Sequence, residues 1–223
     1  MEREPTARAV DAPLHARLDG RPSPDRQLQA VRGRVRWLRR CLDALGERPR
    51  CMVSLGWDHG PTSSEFFANL HIRSLVTIDV AREPTRSGEM CSADGNARYV
   101  HVSDYRAAET ADLAFTHAVL DRMPEREQAA AAVLVYRSLK SGGLFAVWQH
   151  NPWSPAAWVA ADQRPDGSRA LNPRGARRLL RGVGFDIIST TSAYFLPPAL
   201  EWFQPVLAPL PVGPEYMVLA RKP

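Results

Sequence analysis

The chain has 223 residues, 44% apolar and 24% charged, a balance that excludes a disordered or fibrous chain and suits one domain of ordinary size. Twenty-nine basic residues against 24 acidic ones leave a formal charge of +5, too modest an excess to mark a nucleic-acid stripe. No apolar run reaches the ~18 residues of a membrane span, and residues 1–24 lack the apolar core of a secretory leader. The expectation is a cytoplasmic protein with no membrane partner, for which nucleic acid is disfavoured. Cys41, Cys51 and Cys91 are odd in number and widely spaced, so neither a disulfide framework nor a zinc pattern follows. Buried free thiols and no metal site are expected.

Residues 1–24 are polar and Pro-rich and read as a flexible N-terminal arm ahead of a domain over 25–223. From Pro24 to Leu45 the apolar residues Leu28, Val31, Val35, Leu38, Leu42 and Leu45 recur at helical spacing. Arg32, Arg36, Arg39 and Arg40 lie opposite, and the basic cluster at 32–40 reads as a solvated helix face. Gly46 suits the C-terminal stop. Arg50 to Leu55 is a first strand ending at Gly56, with Gly60 and Pro61 beyond it. Ser63 to Leu70 is a helix, and Leu75 to Val80 a second strand, completing a βαβ unit.

Residues 81–97 carry a weak pattern. Glu83 to Met90 is a candidate short helix, limited by Pro84 and Gly88. Tyr99 to Ser103 is a third strand leading to Asp104, and Ala111 to Thr116 a fourth. Pro124 opens a helix through Leu139, with Glu125 and Glu127 near its positive end, and Lys140-Ser141-Gly142-Gly143 stops it. Leu144 to Trp148 is the fifth strand. Asn172 caps a helix from Pro173 to Val183, whose basic residues at 174–181 again read as solvated. Phe185 to Thr191 and Tyr216 to Ala220 are the last strands. Irregular Pro-bearing segments at 149–172 and 194–214 read as substrate-loop insertions. The alternation predicts an α/β fold, a doubly wound, seven-stranded, mostly parallel sheet with helices on both faces.

Two features at strand ends carry chemistry. The turn Ser54-Leu55-Gly56-Trp57-Asp58-His59-Gly60 is either an ordinary strand–helix turn or a close backbone approach to a ligand at a helix start. It is neither a phosphate loop nor a full dinucleotide fingerprint. Asp79 ends the second strand beside it, where a short carboxylate either accepts both ribose hydroxyls or faces solvent as a turn acid. Asp104, past the third strand, offers a further acceptor.

The order of these pieces resembles the class I S-adenosylmethionine-dependent methyltransferases over about residues 26–222. Val53 to Gly60 is similar to their glycine-rich first motif and Thr77-Ile78-Asp79 to the strand whose acid holds the ribose. Ser103-Asp104-Tyr105 is similar to the place where an acid meets the adenine amine and its neighbour covers the ring. Asp112 to Leu120 resembles the fourth-strand motif. Leu139-Lys140-Ser141-Gly142-Gly143-Leu144, the most specific local pattern, resembles the turn before strand five. Gln149-His150-Asn151-Pro152-Trp153-Ser154-Pro155 resembles a small-molecule subgroup.

The resemblance implies S-adenosylmethionine as cofactor, held by Gly56, Trp57, Asp58, Gly60, Asp79, Asp104, Tyr105 and Thr116. It departs from the family where Ser54 replaces an acid, Trp57 a small residue and Asp58 the central glycine. His150, just past strand five, is the first candidate for a general base and His117, after strand four, the second. His101 reads as packing within a strand. Trp153, Trp158, Tyr194, Phe195 and Trp202, with Trp148 and Phe203, supply an aromatic acceptor pocket, a cover for the core or a homodimer contact. The implied activity is methyl transfer to an oxygen, nitrogen or activated carbon of a small molecule, such as a secondary metabolite. The alternatives are a related fold doing other chemistry, or a cofactor-free binding or structural protein.

Overall fold

The computed structural model describes residues 24–56, 65–66, 69–80, 90–91, 96–154, 171–193 and 213–223. The expected arm at 1–23, most of the glycine turn and most of both loop insertions therefore lie outside the described residues.

Helix α1 (Pro24–Leu45) ends where Gly46 takes φ +72°, the left-handed conformation expected of a terminating glycine. The strands follow as β1 (Cys51–Gly56), β2 (Ser74–Asp79), β3 (Met90–Cys91), β4 (Ala97–His101) and β5 (Ala111–His117). A 3₁₀ turn (Leu120–Arg122) leads to α2 (Glu125–Ser138), then β6 (Leu139–His150), α3 (Pro173–Val183), β7 (Asp186–Ala193) and β8 (Glu215–Arg221). Residues 65–66 and 69–70 are helical, as expected of the first crossover. Asn172 caps α3 through its side chain, which accepts from the Gly175 N–H at 2.8 Å.

The sheet runs β3-β4-β2-β1-β5-β6-β8-β7. Pairs β1–β2, β1–β5, β2–β4 and β5–β6 are parallel; β6–β8 and β7–β8 are antiparallel. The seven expected strands are present. The two-residue β3 adds an eighth, antiparallel at the β4 edge, so Met90 pairs in the sheet instead of ending a helix. Strand β4 also ends two residues earlier than expected. The Val102 N–H makes the last bond to β2, at the Asp79 carbonyl, and the N–H groups of Asp104 and Tyr105 then both donate to the His101 carbonyl, which turns the chain away from the ladder.

Side chains alternate strictly between two cores, as a pleated strand requires. Phe145, Val147, Tyr216, Val218, Val53 and Leu55 pack on Ala131 and Val135 of α2 and Ala176 and Leu180 of α3. On the other face Leu144, Ala146, Trp148, Met217, Leu219 and Met52 pack on Val35, Leu38 and Leu42 of α1, with Phe66 and Leu70. No helix among the described residues is long and apolar enough to cross a membrane. Cys41 and Cys51 are free and half-buried, and burial pushes the Cys41 thiol up to about 11.

The order reverses at β1: the chain builds outward through β2 and β4, then returns to lay β5 and β6 on the other side. Open α/β sheets place ligands at that reversal, beyond the carboxyl ends of the strands. The opposite end of the sheet is clamped. Asp112 Oδ2 accepts from the N–H groups of Arg50 and Cys51, both at 2.9 Å, and Oδ1 from Lys140 Nζ at 2.6 Å. Partial burial works to raise the Asp112 carboxyl; the Lys140 ammonium and the two N–H groups outweigh it and hold it below its ordinary value.

The Lys140-Ser141-Gly142-Gly143 turn is a bulge within β6, because pairing with β5 skips from Leu139 to Leu144. Gly142 has φ +80°, and a Cβ on Gly143 would sit 2.9 Å from the Lys140 carbonyl oxygen. Two outcomes are expected in denaturant unfolding. Gly143→Ala costs about 1–3 kcal/mol, the range for a side chain forced into packed surroundings. Asp112→Asn costs about 1–3 kcal/mol near neutral pH, from hydrogen bonds to a charged group. A depressed carboxylate stabilises fully above its unfolded value and loses that contribution as pH falls through the folded one, so the Asp112→Asn gap narrows below about pH 4.

Candidate functional site

The carboxyl ends of β1, β2, β5 and β6 share one edge of the sheet. Gly56 and Asp79, the last residues of β1 and β2, are register partners. Asp79 is buried, while Gly56 is half-exposed. A short carboxylate thus sits beside a strand tip with no side chain. Trp57, Asp58 and Gly60 lie outside the described residues.

The other expected cofactor contacts divide. Asp104 is exposed beyond the turn, where it accepts from Ser103 Oγ at 3.2 Å. Tyr105 is buried in the core and its hydroxyl donates to Ser138 Oγ at 3.0 Å. Its ring therefore packs inside the domain and does not cover the strand tips. Thr116 is fully buried with Oγ1 donating to the Leu55 carbonyl at 3.0 Å; that donor staples β5 to β1. His101 ends β4, where its Nδ1 lies 2.8 Å from Ser103 Oγ.

The two candidate bases come together. His117 ends β5, opposite Trp148, and His150 ends β6, opposite Glu215 at the start of β8. The imidazoles meet edge to face with centroids 5.7 Å apart. Between them lies the Glu215 carboxylate, 3.5 Å from His117 Nε2 and 3.7 Å from His150 Nδ1. Directly after His117, Ala118 takes φ +51°, a left-handed conformation that costs an L-residue about 1–2 kcal/mol. That turn swings the chain sharply off the strand tip.

Glu215 is 3% exposed and is gripped by Arg34 of α1. Arg34 Nε donates to Oε2 at 2.8 Å and its terminal nitrogen to Oε1 at 2.6 Å, a two-pronged fork. The Trp148 indole N–H also donates to Oε2. Burial alone would raise the Glu215 carboxyl; His117 and Arg34 outweigh it and hold it far below the ordinary carboxylate range. Burial, with the nearby positive Arg34 and with His150, holds His117 below its ordinary value despite the pull of Glu215. The site therefore favours the ionised acid and works against the charged form of His117.

Three features differ from the sequence reading. Trp148 is 1% exposed and belongs to the core, where it orients Glu215 in place of lining a pocket. Arg34, inside the basic cluster taken as a solvated face, is buried; the signal was its place between Val31, Val35 and Leu38 on the apolar stripe. Glu215 was missed, although it is the only acid in a strand otherwise apolar up to Arg221.

Of the expected pocket aromatics, Trp153 is exposed with the Arg174 guanidinium 5.7 Å above its ring, and its backbone N–H donates to Asn151 Oδ1 at 3.1 Å. Trp158, Tyr194, Phe195 and Trp202 lie outside the described residues, as does Phe203. Asn151 is buried and donates to the Gly213 carbonyl at 2.8 Å, which ties the segment after β6 to the one before β8.

The sequence matches no protein-family model and no curated protein. Its fold is close to solved structures. An S-adenosylmethionine-dependent methyltransferase from Mesorhizobium loti is 17% identical, with 86% of this chain and 100% of that one aligned at a TM-score of 0.58. The Burkholderia thailandensis 1,6-didemethyltoxoflavin-N1-methyltransferase, solved with 1,6-didemethyltoxoflavin and S-adenosylhomocysteine bound, is 17% identical over 98% of this chain and 93% of its own at 0.56. The [4+2]-cyclase SpnF is 18% identical over 83% and 81% at 0.54. The fold is that of the class I S-adenosylmethionine-dependent methyltransferases.

The Arg34–Glu215 fork makes a direct stability prediction. Removing one member of a buried pair strands the other charge, so Arg34→Met is expected to cost about 3–5 kcal/mol. The neutral double variant Arg34→Met/Glu215→Gln recovers most of that loss. A denaturant double-mutant cycle with purely additive costs would refute the pairing as a supporting interaction.

Proposed function

We propose that the chain is an S-adenosylmethionine-dependent methyltransferase of a small molecule, with the cofactor across the tips of β1 and β2 and the acceptor over the tips of β5 and β6. The observation that carries this reading is the alignment of Gly56 and Asp79 on one side of the chain reversal with His117 and His150 on the other. The bound neighbours of the same fold support it, since the Burkholderia enzyme holds both a demethylated cofactor and a small heterocycle.

When bound, the cofactor supplies an activated methyl group on a sulfonium, itself a good leaving group. The protein's work is then positional: Asp79 accepts from the ribose, Gly56 leaves room for the nucleoside, and the acceptor is held in line. Proton removal from an oxygen or nitrogen acceptor falls to His150, 45% exposed and nearer the open edge than His117 at 31%. With Nδ1 toward Glu215, the ionised carboxylate stabilises the imidazolium formed at Nε2, the logic of a carboxylate-oriented base. The acceptor side also draws on Trp153, Trp158, Tyr194, Phe195 and Trp202, and the remaining cofactor contacts on Trp57, Asp58, Gly60 and Asp104. A cytoplasmic setting and a homodimer belong to the same reading.

A second reading follows from SpnF, a cyclase of this fold, and from the bulky Trp57 and charged Asp58 in the glycine turn: other chemistry, or binding without cofactor. Calorimetry with S-adenosylhomocysteine separates them. Saturable binding is expected, weakened about 10²–10⁴-fold by Asp79→Ala through two lost hydrogen bonds to a charged group. No binding of it or of S-adenosylmethionine overturns the proposal. Once an acceptor is found, His150→Ala is expected to slow single-turnover transfer by about 10²–10⁴; an unchanged rate removes His150 from the chemistry.

A further inference from the structure

The same edge carries a donor set that methyl transfer does not require. His117, His150 and Glu215 come from three strand ends, and one ligating atom of each lies within 4.8 Å of the others. Both imidazoles converge on a single oxygen, Oε1, at 3.5 and 3.7 Å. His117 Nε2 is buried and, among the described residues, has no hydrogen-bond partner. Glu215 Oε2 has both acceptor positions taken, by Arg34 Nε and the Trp148 indole. Among the described residues Oε1 accepts a short bond from Arg34, and its second acceptor position lies on the side of the histidines.

We propose that His117, His150 and Glu215 form a binding site for one divalent transition ion of the zinc type. Two imidazoles and a carboxylate are ligands that zinc accepts. Ligand bonds of about 2.1 Å in a tetrahedron set ligand–ligand edges of about 3.4 Å. The two edges at Glu215 Oε1 are already near that length, and a turn of one imidazole closes the third. Arg34 and Trp148 act as the outer shell that fixes the carboxylate, while the Arg34 charge tempers the ion's affinity. Three protein ligands leave a position open, and the exposed side of His150 places it toward the strand-tip edge.

Where the proposed function holds, that position faces the acceptor, and the ion would polarise an acceptor oxygen directly. His150 is then the ligand in the ion-loaded protein and the general base only in the ion-free one, since its lone pair cannot bind an ion and accept a proton at once. The ion site itself does not depend on the methyl-transfer reading.

The test uses untagged, chelator-treated full-length protein. Zinc titration by calorimetry is expected to show one site, and cobalt to give the visible absorption of a four-coordinate N/O centre. His117→Ala and His150→Ala, each checked for folding by circular dichroism, are each expected to weaken zinc binding by about tenfold or more, a loss no smaller than outer-shell changes cause. No stoichiometric zinc binding, or binding that survives both substitutions, overturns the site. S-adenosylhomocysteine titrations on the same preparations keep the two proposals apart: Asp79→Ala loses the nucleoside and keeps the ion. Zinc bound without nucleoside sinks only the methyltransferase reading, and the reverse sinks only the ion site.

Discussion

A carboxylate buried at the start of β8 has to be balanced, and the balance comes from the far end of the chain. Glu215 and Arg34 are 181 residues apart in sequence and joined by two charge-assisted hydrogen bonds. An unpaired buried charge would cost several kcal/mol, so folding that buries Glu215 must also dock α1 on this face of the sheet. The apolar stripe of α1 supplies the area for docking; Arg34 sets which part of the helix lies over the tips of β5, β6 and β8. The fork also acts on His117, because the carboxylate beside it is held ionised.

The sheet order decides where chemistry can occur. The reversal at β1 opens a crevice beyond the carboxyl ends, and the antiparallel β8 brings its amino-terminal residue to that same edge. Only an antiparallel strand can do so: in a parallel β8, Glu215 would lie at the opposite end, near Asp112. The two ends of the sheet are thus chemically distinct. One is closed by the Asp112 clamp and the Gly143 bulge. The other collects Gly56, Asp79, His117, His150 and Glu215.

Residues expected at the site but placed elsewhere share one cause. Tyr105, Thr116 and Trp148 each carry one polar atom on a body that suits the core, and each found an internal partner: Ser138, the Leu55 carbonyl and Glu215. A buried donor left unpaired is costly, so such side chains settle their hydrogen bonds inside the domain when a partner is within reach. Position next to a strand tip did not reveal this, because the partner lies on another element: the end of α2 for Tyr105 and a neighbouring strand for Thr116 and Trp148.

The sequence by itself determined the class of fold: strand and helix periods, the cap at Asn172, the stop at Gly46, and the strand-end places of Asp79, His117 and His150 are local properties of short segments. These required no knowledge of neighbours, since hydrogen bonding and burial within a segment set the period. Gly142-Gly143, read as a helix stop, instead form a bulge within β6, because the helix already ends at Ser138. Tertiary structure alone decided that Arg34 is buried, that Glu215 stands between two imidazoles, and that an eighth strand pairs at the edge. The first two are pairings between residues tens to hundreds of positions apart, which only the packed sheet brings within bonding distance; the third joins near neighbours in sequence but needs the β4 edge already in the sheet.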